Sequence, residues 1–291
     1  AVVEVSGFLP AGRYEVDGSR SSQFASGLLI ALAHAVTPDG TPAPAALTVT
    51  GPIVSRPYLD MTLRLMERFG ISFTEREEGV FGLSPACAPA PESIAVSGDW
   101  SQAAVLLCVD AMGGGVMLPN LRRDGLQGDA RIVDVLEEMG LRIRQTRGEW
   151  YAASPSHAGL MPARIDCSDI PDLAPILALT CTQARGLSTL TGVSRLRLKE
   201  CDRLLATQEL LGRLGAKTDV SPDGDTLTVT GPVRLRGGFT ADARGDHRMV
   251  MLLATAALIA DGPITVTGAE CISKSWPGFV DTYSQLGGIA R

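Results

Sequence analysis

The chain has 291 residues, 45% of them hydrophobic and 20% charged, and carries a net charge of −6. That length is more than one hydrophobic core usually fills and points to two domains. The acidic balance, with no basic tail and no aromatic-plus-basic patch, excludes a general nucleic-acid binder.

In chain order, the first apolar helix opens at Ser21-Ser22-Gln23-Phe24, and a β-branched strand follows at 47–50. A second helix closes on Met66-Glu67-Arg68-Phe69-Gly70, and strands 71–75 and 80–83 form a hairpin. Residues 85–91 hold three prolines and three alanines and read as the linker. The pattern then returns: a helix from Ser101, a closing segment Leu136 to Gly140, and a hairpin of 141–145 with 150–153. A third pass has a helix from Asp172, a strand at 187–191, a closing segment Leu211 to Gly215, and a hairpin around Pro222-Asp223-Gly224-Asp225. A fourth has a helix from Asp246, a strand at 264–267 and a closing segment Tyr283 to Gly287.

The closing glycines are 70, 75 and 72 residues apart (140 − 70, 215 − 140, 287 − 215). Glycine just past a helix end is the residue that takes the left-handed conformation without strain. Four β-α-β-α-β-β units are therefore expected, in an α/β (α+β) fold, with helices that are apolar all round, such as 250–259, buried by the sheets. Cys87, Cys108, Cys167, Cys181, Cys201 and Cys271 are scattered, with no C-x-x-C pair and no His at ligand spacing. Reduced thiols and no metal site are expected. No signal-peptide pattern or bilayer-length apolar run is read, so a cytoplasmic protein off the membrane is the expectation.

Residues 195–203 concentrate charge: Arg195, Arg197, Lys199 and Arg203 with Glu200 and Asp202. A solvated helix face is the ordinary reading of such a cluster. Here it lies between a strand and an apolar helix, where free N–H groups and the helix dipole favour an anion. If Lys199 and Arg203 stand on that helix, four apart, they share a face.

Seven motifs, Ser21-Ser22-Gln23-Phe24, Ser55-Arg56-Pro57-Tyr58, Leu126-Gln127-Gly128-Asp129, Ile170-Pro171-Asp172, Arg197-Leu198-Lys199-Glu200-Cys201-Asp202-Arg203, Asp246-His247-Arg248-Met249 and Lys274-Ser275-Trp276-Pro277, run in order along the chain. Together they resemble the EPSP synthase (3-phosphoshikimate 1-carboxyvinyltransferase) family. The resemblance implies the enolpyruvyl transferase two-lobe fold, which has six units, three per lobe. Four are present here, so the chain looks like the family's C-terminal two thirds. Residues 1–88 would be the last unit of the first lobe, and 89–291 the three units of the second.

The implied reaction moves the enolpyruvyl group of phosphoenolpyruvate to the 5-hydroxyl of shikimate 3-phosphate and releases phosphate. Such a site must neutralise two phosphates and two carboxylates, accept a hydroxyl proton and donate one to carbon. By resemblance, Ser21, Ser22, Gln23, Ser55, Asp172 and Lys199 hold shikimate 3-phosphate, with Tyr58 beside its ring. Gln23, Arg203, Arg248 and Lys274 hold phosphoenolpyruvate. Asp172, Glu200 and Lys274 are the proton-transfer groups, and His247 is a hydrogen-bonded scaffold residue. No cofactor and no metal is implied, and the partners are the two small-molecule substrates, bound by a monomer. Without the family, Ser21 and Asp172 would read as helix N-caps, Arg248 as a structural partner of Asp246, and Glu200 and Lys274 as solvated surface. Arg195 stands where many members carry an uncharged polar residue. Trp100 stands where a small residue is usual, and a packing role near the hinge is its plain reading.

Two rival enzymes and one non-enzyme are the alternatives. UDP-N-acetylglucosamine 1-carboxyvinyltransferase shares the chemistry but is disfavoured by the Lys-Glu-x-Asp-Arg and Asp-His-Arg-Met strings. RNA 3′-terminal phosphate cyclase shares only the repeat architecture. The third reading is a fragment that binds shikimate 3-phosphate without turnover.

Overall fold

The computed structural model describes residues 3–4, 6–85, 91–146, 149–153 and 159–290. The expected linker falls largely on residues 86–90, and Cys87 with it, outside the described residues. The chain divides into two compact units, one of Ala1–Val96 with Asp124–Gly128 and one of Ser97–Arg123 with Asp129–Arg291.

The first unit contains β1 (Arg13–Asp17), α1 (Ser22–Leu32), β2 (Ala45–Thr50), α2 (Arg56–Arg68), β3 (Phe73–Glu77) and β4 (Val80–Leu83). Its sheet order is β1-β2-β4-β3. β1 and β2 are parallel and the other pairs antiparallel. Burial alternates along β2, as period two requires when one face meets helices. That face packs Leu47 with Leu29, Leu59 and Phe81, all four fully buried.

The second unit contains α3 (Trp100–Ala111), β5 (Leu118–Pro119), α4 (Ile132–Glu138), β6 (Arg142–Thr146), β7 (Glu149–Ala153), β8 (Arg164–Asp166), α5 (Ala174–Cys181), β9 (Gly186–Thr191), α6 (Arg203–Arg213), β10 (Lys217–Val220), β11 (Thr226–Gly231), β12 (Phe239–Asp242), α7 (His247–Ala257), β13 (Ile264–Thr267) and α8 (Phe279–Gln285). All eight residues of α5 are buried, because α3, α6 and α7 pack around it. This is why its sequence carries no polar face.

The repeat is visible in the backbone. The sheet β8-β9-β11-β10 has the same pairing as the sheet of the first unit, parallel then antiparallel. β12 and β13 repeat the parallel pair, and β5-β7-β6 repeats the rest. The expected six-element pattern is incomplete in the second copy, where no strand precedes α3 among the described residues. Gly70, Gly140, Gly215 and Gly287 all have left-handed φ, at 71°, 93°, 94° and 90°. Each glycine N–H bonds the carbonyl three residues back, and the next N–H bonds the one five residues back. This is the Schellman closure, made four times by the same residue at the same place.

The parallel pairs determine where chemistry collects. Asp17 faces Thr50, Asp166 faces Thr191 and Asp242 faces Thr267, at the carboxyl ends of the paired strands. Each aspartate accepts a backbone N–H two residues on, at 2.8, 2.9 and 2.8 Å. Both loops leaving such a pair emerge at one end of it, where ligands of open parallel sheets bind.

Candidate active site

The substrate-contact residues singled out by the sequence lie in those loops or in the first turn of the helix that follows. In the first unit, Ser21 caps α1, its hydroxyl accepting from Gln23 N at 3.2 Å, and Ser22 is buried while Gln23 is exposed. Ser55 opens α2 with a left-handed φ of 52° and does not cap it with its side chain. Tyr58 N bonds the Ser55 carbonyl at 3.1 Å.

In the second unit, Asp172 follows β8, Lys199 to Arg203 follow β9, Arg248 follows β12 and Lys274 follows β13. The structure brings Asp172, Lys199, Glu200, Arg203 and Arg248 together. Asp172 Oδ1 lies 3.1 Å from Lys199 Nζ and 2.7 Å from Arg203 Nη1, and Asp172 Oδ2 lies 3.8 Å from Arg248 Nη2. Burial alone would raise the Asp172 carboxyl, but Arg248, Lys199 and Arg203 outweigh it and hold the group well below the usual carboxylate range.

Arg203 is the hub. Its side chain is 1% exposed, and its Nε reaches Asp246 Oδ2 at 2.6 Å while Nη2 bonds Glu200. Burial opposes its charge, yet the carboxylates of Asp246, Asp172 and Glu200 outweigh burial and raise its pKa. Three cations (Lys199, Arg203, Arg248) thus face three carboxylates (Asp172, Glu200, Asp246). Asp246 and Arg203 are closed in, whereas Asp172 and Glu200 are 26% and 38% exposed. Lys274 is exposed and donates to the Gly245 carbonyl at 3.3 Å, beside the start of α7.

Several expectations change. Asp172 is not a helix cap; it is the middle residue of a 3-10 helix, Pro171–Leu173, whose cap position belongs to Ile170. Lys199 and Arg203 do not share a helix face, because Lys199 is extended (φ −86°, ψ −164°) and Asp202 caps α6, accepting from Leu205 N at 2.9 Å. They meet at Asp172 all the same. Arg248 does not pair through its side chain with Asp246, which is committed to Arg203 and to capping α7. Its guanidinium instead donates to Ser101 Oγ at 2.9 Å. His247 Nδ1 is buried, 4.0 Å from Asp246, with no hydrogen bond, so the scaffold role has no support at that atom. Trp100 is fully buried and donates to the Arg122 carbonyl at 2.8 Å. Arg195 donates to the Ser168 carbonyl at 3.5 Å; burial lowers its pKa, and the nearby Asp169 and Asp172 carboxylates oppose that shift.

The sequence reading missed Asp246 as the partner of Arg203, and also the pair Ser101 and Asp129. The Asp246-His247-Arg248 string contained the first, had the aspartate been weighed as a buried counter-charge.

The arrangement defines a class: an α/β repeat protein in which cations and carboxylates from separate repeats converge beyond the carboxyl ends of parallel strand pairs. The fold is that of EPSP synthase from Acinetobacter baumannii (TM-score 0.74, 24% identity, 97% of this chain and 64% of that one). It is also that of the enolpyruvyl transferase NikO from Streptomyces tendae (TM-score 0.72, 17% identity, 96% and 65%). The family model for EPSP synthase (3-phosphoshikimate 1-carboxyvinyltransferase) matches residues 1–283, and the chain belongs to that family. Proteins named 3-phosphoshikimate 1-carboxyvinyltransferase from Methanocorpusculum labreanum and Clostridium beijerinckii are 37% and 34% identical to it, each over 287 residues. The matches cover 99% of this chain but 65% and 64% of those proteins, so the chain spans about two thirds of their length.

Proposed function

We propose that this chain carries the phosphoenolpyruvate half, and part of the shikimate 3-phosphate half, of an enolpyruvyl transferase. The transferase would join the two to give 5-enolpyruvylshikimate 3-phosphate and phosphate, in the route to chorismate and the aromatic amino acids. The observation that carries this reading is the meeting of Lys199, Arg203 and Arg248 on Asp172, drawn from three separate family motifs. In this account the chain corresponds to the C-terminal two thirds of its relatives. Residues 1–88 are the last unit of the first lobe and 89–291 are the second lobe. The protein acts as a cytoplasmic monomer on two small-molecule substrates.

Ser21, Ser22, Gln23 and Ser55 take the phosphate of shikimate 3-phosphate, at the starts of α1 and α2, where the helix dipole favours an anion. Lys199 and Asp172 take its hydroxyls, and Asp172 accepts the proton of the attacking one. Held ionised by its cations, Asp172 is a weak base in the empty site. Its basicity rises once the incoming anions compete for Lys199 and Arg248, since each withdrawn cation removes a cause of the depression. Arg248 and Lys274 take phosphoenolpyruvate directly, together with Gln23. Arg203 takes it after Glu200 swings off Nη2, which frees Glu200 to pass a proton at the enolpyruvyl carbon; Lys274 is the other proton donor. Planar guanidinium groups suit bidentate carboxylate and phosphate contacts.

The shared length of about two thirds keeps a second reading in play, a fragment that binds without turnover. Phosphate release from both substrates decides between them, assayed with the chain alone and with the remaining third of a relative supplied in trans. Little or no release by the lone chain and robust release on complementation is the expected result. Near-normal release by the lone chain would mean that residues 1–291 hold a complete site. Substrate binding without release in a complemented protein supports the fragment reading.

A further inference from the structure

The second repeat is the copy to which the chemistry above gives no part, yet its loops reach the same cations. Asp99 caps α3 by accepting from Ser101 N at 2.8 Å, as Asp246 caps α7 by accepting from Arg248 N at 2.8 Å. Ser101 is therefore the second residue of α3, as Arg248 is of α7 and Gln23 of α1. Two of those three positions already carry proposed substrate contacts.

Ser101 faces Arg248 across the unit. Arg248 Nη2 donates to Ser101 Oγ at 2.9 Å and Nη1 to the Ser101 carbonyl at 3.4 Å, while Nη2 also lies 3.8 Å from Asp172 Oδ2. The Ser101 hydroxyl donates in turn to Asp129 Oδ2, on a carboxylate only 2% exposed. A serine has one proton and two lone pairs. With the proton committed to Asp129, the lone pairs are left for the guanidinium. We infer that Ser101, oriented by Asp129, is a positioning residue that fixes the Arg248 fork for the phosphoenolpyruvate anion. This rests on the functional reading above. The adjacent Gln102 acts in the same sense, its amide donating at 2.7 Å to the carbonyl of Ser275, next to Lys274. The first turn of α3 thus contacts Arg248 directly and the backbone of the residue after Lys274.

The test uses the 291-residue chain. Phosphoenolpyruvate and shikimate 3-phosphate are titrated separately by calorimetry into wild type, Ser101→Ala, Ser101→Thr and Asp129→Asn, and tryptophan fluorescence checks folding. Loss of one hydrogen bond to a charged group corresponds to about a tenfold weaker phosphoenolpyruvate Kd for Ser101→Ala. Shikimate 3-phosphate should be unaffected, and Ser101→Thr should restore most of the loss. Asp129→Asn should weaken phosphoenolpyruvate as well, because an amide N–H offered to Oγ turns the hydroxyl proton toward Arg248. The Nε–Hε proton signal of Arg248 should broaden in Ser101→Ala and Asp129→Asn before any ligand is added. Should Ser101→Ala not fold, the near-isosteric Ser101→Cys, a weak acceptor, carries the same expectation. Unchanged phosphoenolpyruvate affinity in folded Ser101 and Asp129 variants overturns the inference, and so does equal loss for both ligands. Failure of the wild-type chain to bind phosphoenolpyruvate overturns the functional reading, and the inference with it.

Discussion

The pair Arg203 and Asp246 offers the sharpest test of how the site is held together. Arg203→Met removes the contacts at 2.6 and 3.3 Å and leaves the Asp246 carboxylate, 0% exposed, without its guanidinium. Stranding a buried charge in this way costs about 3–5 kcal/mol. The other two carboxylates add little to the loss, since both are partly exposed and Asp172 keeps Lys199 and Arg248. Asp246→Asn is milder: asparagine still caps a helix, and Arg203 keeps Asp172 and Glu200. A cost of about 1.5–3 kcal/mol is expected, that of one charge-assisted hydrogen-bonded contact. In the double variant no charge is stranded at position 246, so its cost should fall short of the sum of the singles by about 2 kcal/mol. Urea unfolding followed by tryptophan fluorescence reads the second unit alone, because Trp100, Trp150 and Trp276 all fall in it. The m-value should stay constant across the four proteins. Additivity within about 0.5 kcal/mol, or a cost below about 1 kcal/mol for Arg203→Met, would refute the reasoning.

Two further outcomes are expected. Burial pushes Cys108 and Cys167 up to about 12 and Cys181 up to about 11; burial and then the Asp246 carboxylate push Cys201 up to about 12. These thiols should resist a soluble disulfide reagent at pH 8 in the native protein and react on unfolding; rapid native labelling of any, located by peptide mapping, would contradict the packing. Burial, and then Arg248, lower the pKa of His247 below its ordinary 6.5. The unfolded chain then binds the extra proton first, so stability is intact above that value and falls as pH drops through it, by at most about 1.4 kcal/mol per pH unit for one proton. His247→Asn should flatten this part of the profile, and an unchanged slope would remove His247 as its source.

Much of the fold was readable because the repeat writes the same local physics four times. An apolar-x-x-apolar-Gly segment ends a helix wherever it occurs, and Gly70, Gly140, Gly215 and Gly287 all do so. The β-branched runs at 47–50, 187–191 and 264–267 became β2, β9 and β13. The failures have physical causes. The spacing of Lys199 and Arg203 gives a shared face only on one helix, and Asp202, a good cap residue, stands between them and starts the helix after itself. Residues 93–96 carry Ile94 and Val96 at alternate positions, yet both are exposed, and among the described residues between β4 and α3 no strand forms. Contacts between distant residues left least trace. Ser101 meets Arg248 across 147 positions and Arg203 meets Asp246 across 43, and no periodicity reports such a pairing. The motifs named the cations of the site and the carboxylates Asp172 and Glu200; only the fold supplied Asp246 as the partner of Arg203 and the Ser101 hydroxyl as the partner of Arg248.

In the proposed function Asp172 accepts the proton of the attacking hydroxyl while Lys199, Arg203 and Arg248 balance its charge. This role is tested most directly by the turnover of Asp172→Asn, in the chain complemented in trans and saturated with both substrates. Asparagine keeps the volume and the hydrogen-bonding reach of the aspartate but cannot take a proton. The account predicts that kcat falls by about 10²–10⁴-fold, the usual contribution of a positioned base, while shikimate 3-phosphate still binds. A kcat for Asp172→Asn equal to that of wild type under those conditions would contradict it.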